Sequence, residues 1–492
     1  MEGIKEKVVR GAAWSWLSRF SGLLLRIVST VLLTRLLRPQ EFGLLAMAQV
    51  FAEFASLFVD FGFSVSIMHR KEIDDELTSS VFWLNLGMAT LIFLAFIPGA
   101  QAVAAFYHEP ALIELTRFVA LSFVFGALAS VPMALLKREM RFDRVAQAEI
   151  FTNFSAGALA VVLAWQGFGV WSIAAQSVGA AALLAVILFA LARWRPRLRL
   201  SVAALREVAG FSLGLFGYKV VAYWARSLDR MFIGRFVGAG GLGLYTRAYT
   251  LMMLPASQLS DAIAHPTFRA LSAIKDDHER VKRIHLRMVS LLTFVGYPII
   301  IGLAAVAKPF ILTVYGPSWA GVIPIYTILC WVSLVHMLSS TSGLLFNSQG
   351  RTDQTFLWAV LSFAVLLTAI YVGARQGSVT SIAWAYFVGQ LILLYPSVEL
   401  PGRLVGVHFS DVMRLVLPNL FRALVMGAAV HGVHVWLVPP GWSSPMQLAV
   451  LVPLGMVLYV SIATLTPGPA YAEIRQFLAK RRRPRAQPAP EA

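Results

Sequence analysis

The chain has 492 residues, of which 58% are hydrophobic and 14% are charged, and its formal net charge is +17. A typical soluble domain has about 25% charged residues, so this composition excludes an ordinary soluble protein and indicates a polytopic membrane protein. A single cysteine, Cys330, excludes an internal disulfide framework.

Apolar runs of about 20 residues, the length that crosses a bilayer, occur fourteen times between charged or Gly/Pro-containing turns. We expect the first run to be retained as a span, because it is too long for a signal peptide and is interrupted by Arg19 and Arg26. The fourteen predicted spans are residues 12–34, 42–66, 80–106, 112–136, 149–166, 170–192, 208–228, 242–266, 287–307, 320–345, 354–374, 379–399, 414–438 and 445–466. The predicted fold class is therefore an all-α integral membrane protein.

The distribution of Lys and Arg predicts the orientation of these spans. Odd-numbered connections contain six Lys and Arg residues, whereas the termini and the even-numbered connections contain 29, counting Arg287 and Arg414 at the first positions of their spans. Such an asymmetry indicates that both termini are cytoplasmic, because positively charged loops stay on the cytoplasmic side. Most of the positive charge thus reflects topology, and no nucleic-acid partner is expected.

An offset of 200 residues relates the two halves of the chain. The aligned pairs include Arg19 with Lys219, Arg26 with Arg226, Arg35 with Arg235, Gly43 with Gly243, and Leu44 with Leu244. Because six spans per half is an even number, the two halves have the same orientation, and a pseudo-two-fold axis along the membrane normal relates them.

This repeat predicts four segments. Residues 1–200 and 201–400 form two pseudo-symmetric six-helix bundles, residues 401–468 form two additional transmembrane helices, and residues 469–492 form a basic cytoplasmic tail. The tail contains KRRRPR, which either lies against anionic membrane lipid or is a plain stop-transfer anchor.

Four cations inside the predicted spans are candidate ligand-binding residues. Arg19 and Arg26 are seven residues apart, as are Lys219 and Arg226, so each pair lies on one helical face, ~10 Å apart along the axis. A charge at bilayer depth costs roughly 2.5–3.5 kcal/mol, so each cation needs a partner or a wet cavity. Arginine suits an anionic ligand, because its planar guanidinium can hold phosphate oxygens through two hydrogen bonds.

Two acids of the second span lie level with the first pair of cations. In an antiparallel hairpin Glu53 is opposite Arg26, and Asp60 is opposite Arg19. One interpretation is that these are buried structural ion pairs. The other is that the cations contact a ligand.

The corresponding hairpin of the second half, formed by spans 7 and 8, lacks this balance of charge. Met253 lies opposite Arg226, so this arginine either pairs with Asp229, one turn away, or binds an anion. Asp261 lies beside the position opposite Lys219. We therefore treat Asp229 and Asp261, together with the two acids of the second span, as charge partners or coupling residues.

No catalytic constellation is present in the sequence. It has no nucleotide-binding Gly loop with Lys, no His/Cys/Asp cluster at metal-ligand spacing and no acid pair of glycosyltransferase type. We expect no enzyme activity, no cofactor and no metal, and any transport would use gradients, the membrane potential or substrate supply.

Five segments, in order along the chain, resemble successive signatures of the bacterial polysaccharide transporter family. This family is part of the multidrug/oligosaccharidyl-lipid/polysaccharide exporter superfamily and includes colanic-acid and O-antigen exporters. The segments are RFSGLLLRIVSTVLLTRLLRPQEFGLLAMAQ, KREMRFDRVAQAEI, RSLDRMFIGRFVGAGGLGLYTRAY, YGPSWAGVIPIYTIL and FNSQGRTDQT.

The resemblance implies a fold and a mechanism. Two bundles would form a V around a cavity lined by spans 1, 2, 7 and 8, in the bacterial inner membrane. By alternating access, the cavity would move the headgroup of an undecaprenyl-pyrophosphate oligosaccharide outward for exopolysaccharide or lipopolysaccharide synthesis. A polysaccharide polymerase and chain-length machinery would be its partners.

The resemblance also suggests roles for the candidate residues. Cavity cations would neutralise the pyrophosphate, and Arg19, Arg26, Lys219 and Arg226 occupy suitable spans. The acids Glu53 and Asp60 would either quench the first pair of cations or couple transport to protons.

Three other classes of function remain as alternatives. A multidrug or cation antiporter of the same superfamily would better fit twelve spans and an acidic cavity. A membrane glycan polymerase or ligase would normally have a large outward loop, whereas every odd-numbered loop here is short. A scaffold without transport has no reason to contain unpaired intramembrane Arg.

Overall fold

A computed structural model describes residues 21–22, 24–60, 75–198, 201–439, 441–473 and 475; several side chains of 202–273, and those of residues 60, 342 and 352, are outside this description. All regular structure in these residues is helical. The helices are α1 (24–36), α2 (Pro39–Asp60), α3 (Asp75–Tyr107), α4 (Leu112–Arg138), α5 (Phe142–Trp165), α6 (Val170–Ala192), α7 (Val202–Ala273), α8 (His278–Ala305), α9 (Ala307–Val314), α10 (Val322–Ser348), α11 (Thr352–Ala374), α12 (Val379–Gly402), α13 (Phe409–Trp436) and α14 (Ser444–Leu465). Short 3₁₀ turns follow α9 at Pro317–Trp319 and α12 at Arg403–Val405.

Within the described residues, 11 helices are long and apolar enough to cross a membrane: α2 to α6, α8 and α10 to α14. The predicted all-α integral membrane fold is therefore confirmed. The count of fourteen is not confirmed, because the first predicted span begins outside the described residues and the seventh and eighth both lie within α7.

A single glycine divides α7 into two helices. Gly238 has φ 87° and ψ −178°, a backbone conformation that is essentially restricted to glycine. We name the two parts α7a (202–237) and α7b (239–273). The break coincides with the Gly-rich turn that the sequence predicts between the seventh and eighth spans.

Contacts between residues divide the chain into two compact units. The first consists of Met1–Thr246 with Gly377–Val379, and the second of Arg247–Gln376 with Thr380–Ala492. Helix α7 thus contributes to both. The predicted segment boundaries at residues 200, 400 and 468 stay predictions.

The first unit is held together by closely packed apolar helices. Helix α3 packs along α4, and α6 packs against both α4 and α5. Part of the core consists of Val81 and Phe82 from α3 with Val131 and Ala134 from α4. Small residues let these helix backbones approach each other, which is how membrane helices associate when lipid is as apolar as the side chains.

The second unit docks α13 and α14 onto α8 and α9. Helix α13 packs along α8, while α14 contacts α13 and α9. Arg422, a buried cation of α13, donates from Nε to Thr466 Oγ1 at 2.9 Å and from Nη2 to the Thr466 carbonyl at 2.7 Å. It also donates to Asn419 Oδ1 at 2.9 Å. Because Thr466 is the C-cap of α14, this guanidinium satisfies acceptors at a helix C-terminus, where a cation is favourable.

Candidate functional site

Three of the eight residues predicted for the site have described side chains. Arg26, in α1, and Glu53, in α2, are exposed, whereas Asp229, in α7a, is 7% exposed. The side chains of the other five lie outside the described part of the chain: Arg19, Asp60, Lys219, Arg226 and Asp261. The two cationic stripes therefore stay a prediction.

Glu53 is paired with an arginine of α7a. Arg230 Nη2 lies 3.1 Å from Glu53 Oε2, and the same nitrogen donates to Ser227 Oγ at 2.8 Å. The Arg230 side chain is 23% exposed and that of Glu53 is 47% exposed. This pair joins α2 to α7a, and it shows that the acid opposite Arg26 in the sequence has a different partner.

Asp229 is a buried carboxylate with both oxygens hydrogen-bonded. Oδ1 accepts the backbone N–H of Arg230 at 2.7 Å, and Oδ2 accepts the hydroxyl of Tyr245 at 3.0 Å. Tyr245 belongs to α7b and is fully buried. The hydrogen bond therefore connects the two parts of α7 across the break at Gly238 and satisfies a group that would be costly to bury alone.

Aromatic rings surround this polar cluster. The buried hydroxyl of Tyr223 donates to the Val50 carbonyl of α2. Trp224 lies 4.9 Å from Phe54, centroid to centroid. Tyr107 is 3% exposed, and its hydroxyl has no hydrogen-bond partner in the part of the chain that the structure describes.

Two glycines let α2 and α7 meet backbone to backbone. A Cβ added to Gly43 would overlap the carbonyl oxygen of Ala239, and a Cβ added to Gly243 would overlap that of Pro39. The next glycine contact along α7a has more room: a Cβ at Gly234 would lie 2.7 Å from the Tyr107 ring. The two contacts at the Pro39 end of α2 are thus tighter than the one at Gly234.

Each unit contains an apolar cavity among its described residues. A cavity of about 550 Å³ in the first unit is lined by α2, α3 and Met231, including Phe51, Phe54 and Phe106. A cavity of about 470 Å³ in the second unit lies between α8, α13 and α14. In the described residues, no cluster of three His, Cys, Asp or Glu side chains could hold a metal ion.

The sequence did not single out Arg230 and Tyr245 as partners of the predicted acids. One of the two interpretations of the sequence paired Asp229 with Arg226. The signal that could have identified Arg230 is its position shortly before the glycine turn at Gly238. Its contact with α2 is seen only in the structure. Tyr245 follows Asp229 by 16 residues, so only the reversal at Gly238 brings the two together.

Comparison with known proteins identifies the family to which this chain belongs. The family model described as "Polysaccharide biosynthesis protein" matches residues 32–324, more than half of the chain. The chain therefore belongs to this family, and the resemblance predicted from its sequence is confirmed.

Two relatives match almost the whole chain. The teichuronic acid biosynthesis protein TuaB of Bacillus subtilis (strain 168) is 24% identical over 94% of this chain and 96% of its own length. The succinoglycan biosynthesis transport protein ExoT of Rhizobium meliloti (strain 1021) is 27% identical, with 98% and 97% covered.

Solved structures share the fold. Lipid II flippase MurJ in an inward closed conformation superposes with a TM-score of 0.71 at 13% identity, over 95% of this chain and 100% of the MurJ chain. An inward-facing multidrug resistance transporter of the MATE family, in the MOP superfamily, gives 0.54 at 13% identity over 82% and 95%. At these identities the similarity is one of fold.

Proposed function

We propose that the protein moves undecaprenyl-pyrophosphate-linked oligosaccharide units across the bacterial inner membrane by alternating access. The observation that carries the proposal is the match, over 98% of this chain, to ExoT, which is named as a succinoglycan biosynthesis transport protein. A fold similar to a lipid II flippase supports a lipid-linked glycan as substrate. Translocation of this kind requires no catalytic group.

We place both termini in the cytoplasm, so the Pro39 end of α2 and the turn at Gly238 face outward. The support is the excess of Lys and Arg in the termini and even-numbered connections. A polysaccharide polymerase and chain-length machinery would then receive the oligosaccharide on the outer side.

The pyrophosphate is the substrate group that the four predicted cations would bind. We assign this role to Arg19, Arg26, Lys219 and Arg226, because a guanidinium or ammonium can neutralise phosphate oxygens in a cavity. The exposure of Arg26 and the pairing of Glu53 with Arg230 support the assignment of Arg26. Among the described residues, Glu53 is held by Arg230 and is not the partner of Arg26.

The predicted acids have separate roles in this proposal. Glu53 and Asp229 position α2, α7a and α7b through Arg230 and Tyr245. Asp60 and Asp261 remain candidates for charge pairing or ion coupling.

A transport assay separates this function from drug export. Purified protein in proteoliposomes should move a fluorescent undecaprenyl-pyrophosphate oligosaccharide between leaflets, making it accessible to a membrane-impermeant quencher. The same vesicles should not accumulate a cationic dye in response to a proton or sodium gradient. Dye transport without lipid translocation would instead support a multidrug or cation antiporter.

A further inference from the structure

The contacts of Gly43 and Gly243 are related by the internal repeat. The 200-residue offset aligns Gly43 with Gly243 and also aligns Pro39 with Ala239. In the structure, Gly43 packs on the Ala239 carbonyl and Gly243 packs on the Pro39 carbonyl. Exchanging the two repeats therefore converts one contact into the other, so this pair of contacts lies across the pseudo-two-fold axis.

At this point the backbones leave no space between them. Because even a methyl group at either glycine would overlap a carbonyl oxygen, neither water nor a sugar could pass between the two segments. The Glu53–Arg230 pair lies further along α2 and α7a from the same end. A central cavity between these segments would thus be closed at its outer end, along the axis that relates the repeats.

We propose that this reciprocal glycine contact is the outer gate of the carrier, which must separate for the oligosaccharide to leave. The inference rests on the proposed function for its substrate, but the closed contact can be tested without transport. Packing between backbones is strong only at close approach, so a small outward displacement removes most of it. Glycine at both positions therefore lets one contact be tight when closed and absent when open.

A disulfide across the contact tests whether it must open. A Cβ on Gly240 would lie 3.5 Å from Gln40 Cγ. Because the Sγ of a cysteine at position 40 would take the place of this Cγ, cysteines at the two positions can form a disulfide bond. In a Cys330→Ala background, Gln40→Cys with Gly240→Cys should oxidise readily and lose at least 90% of its lipid translocation. Reduction should restore it. Failure of the pair to oxidise, or full translocation while oxidised, would overturn the gate.

Glycine substitutions test whether these positions set the closed state. In the same cysteine-pair background, Gly43→Ala and Gly243→Ala should each slow disulfide formation at least tenfold, because the added methyl group separates the segments. Gly87→Ala is the matched control: Gly87 lies inside α3, and an added Cβ meets nothing within 4 Å. Wild-type oxidation rates in both gate variants would contradict the proposal.

The two measurements, disulfide oxidation and lipid translocation, test the gate and the proposed function separately. Oxidation is measured by gel shift and needs no transport, so the oxidation results stand even if the reduced protein translocates no oligosaccharide. In that case the proposed function fails and the closed contact remains. If Gly43→Ala does not yield folded protein by size-exclusion chromatography, Gly243→Ala adds the same methyl group from the opposite repeat and provides the test.

Discussion

Asp229 is a buried acid whose burial and partners could not be predicted from the sequence. The predicted seventh span ends at residue 228, one residue before it, whereas α7a continues to the break at Gly238. The hydrogen bond of Asp229 to Tyr245 depends on where the chain reverses and on the exact length of the two helices. The pairing of Glu53 with Arg230 likewise depends on how α2 packs against α7a, because 177 residues separate the two. The predicted hairpin of spans 1 and 2, which uses only distances along the sequence, placed Glu53 opposite Arg26 instead.

Removing the Tyr245 hydroxyl should destabilise the protein. Tyr245→Phe leaves one oxygen of a buried carboxylate without its donor, which costs about 1–3 kcal/mol. We therefore expect a lower unfolding temperature in detergent, measured by intrinsic fluorescence.

Tyr107→Phe is the matched control for this change. Tyr107 is also buried, but its hydroxyl has no hydrogen-bond partner among the described residues. Its removal should leave the unfolding temperature unchanged or raise it. Equal losses in both variants would show that the hydrogen bond to Asp229 does not contribute to stability.

Among the helices, α7 shows best which structural features sequence patterns can and cannot predict. The Gly-rich run predicted a turn, and the break lies at Gly238 within it. The absence of an intervening loop could not be read from hydropathy, since a glycine break and a short loop have the same apolar pattern. Similarly, the sequence predicted α13 and α14 as two additional transmembrane helices. Their docking on α8 and α9 could not be predicted, because it depends on how the helix surfaces pack.

Gly238→Ala should be costly because its backbone conformation is essentially restricted to glycine. We expect a loss of about 1–3 kcal/mol in the free energy of unfolding. Gly240→Ala, two residues away, is the control, since its Cβ would make an ordinary contact at 3.5 Å. The unfolding temperatures of both variants are measured in the same detergent. An unchanged unfolding temperature for Gly238→Ala would contradict the backbone conformation assigned to Gly238.

Arg422→Lys should loosen α14 from α13. Lysine keeps the charge but cannot reproduce the planar set of donors to Asn419 and Thr466. Each lost hydrogen bond to a charged group is worth about 1.5–3 kcal/mol, so the unfolding temperature should fall clearly. Limited proteolysis between α13 and α14 should also accelerate. The exposed Arg414→Lys, on the same helix, should change neither quantity.

For the whole molecule, composition and hydropathy were sufficient to predict the fold class, and five short segments were sufficient to predict the family. These properties are sums over many residues, so errors at single positions do not alter them. The cavity site is different, because it depends on a few side chains and on the conformational state of the carrier. The repeat offset of 200 residues lies between these two cases, because it was inferred from a small number of matching residues scattered along the two halves. The reciprocal contacts of Gly43 and Gly243 agree with this offset.

The most direct measurement is translocation of a fluorescent undecaprenyl-pyrophosphate oligosaccharide by purified protein in proteoliposomes, wild type beside Arg226→Ala and Arg226→Lys. We expect translocation by the wild type, none by Arg226→Ala and partial recovery by Arg226→Lys, with equal amounts of protein inserted. Normal translocation by Arg226→Ala would contradict the role of this arginine at the pyrophosphate. No translocation by any of the three, with a competent substrate, would contradict the proposed function itself.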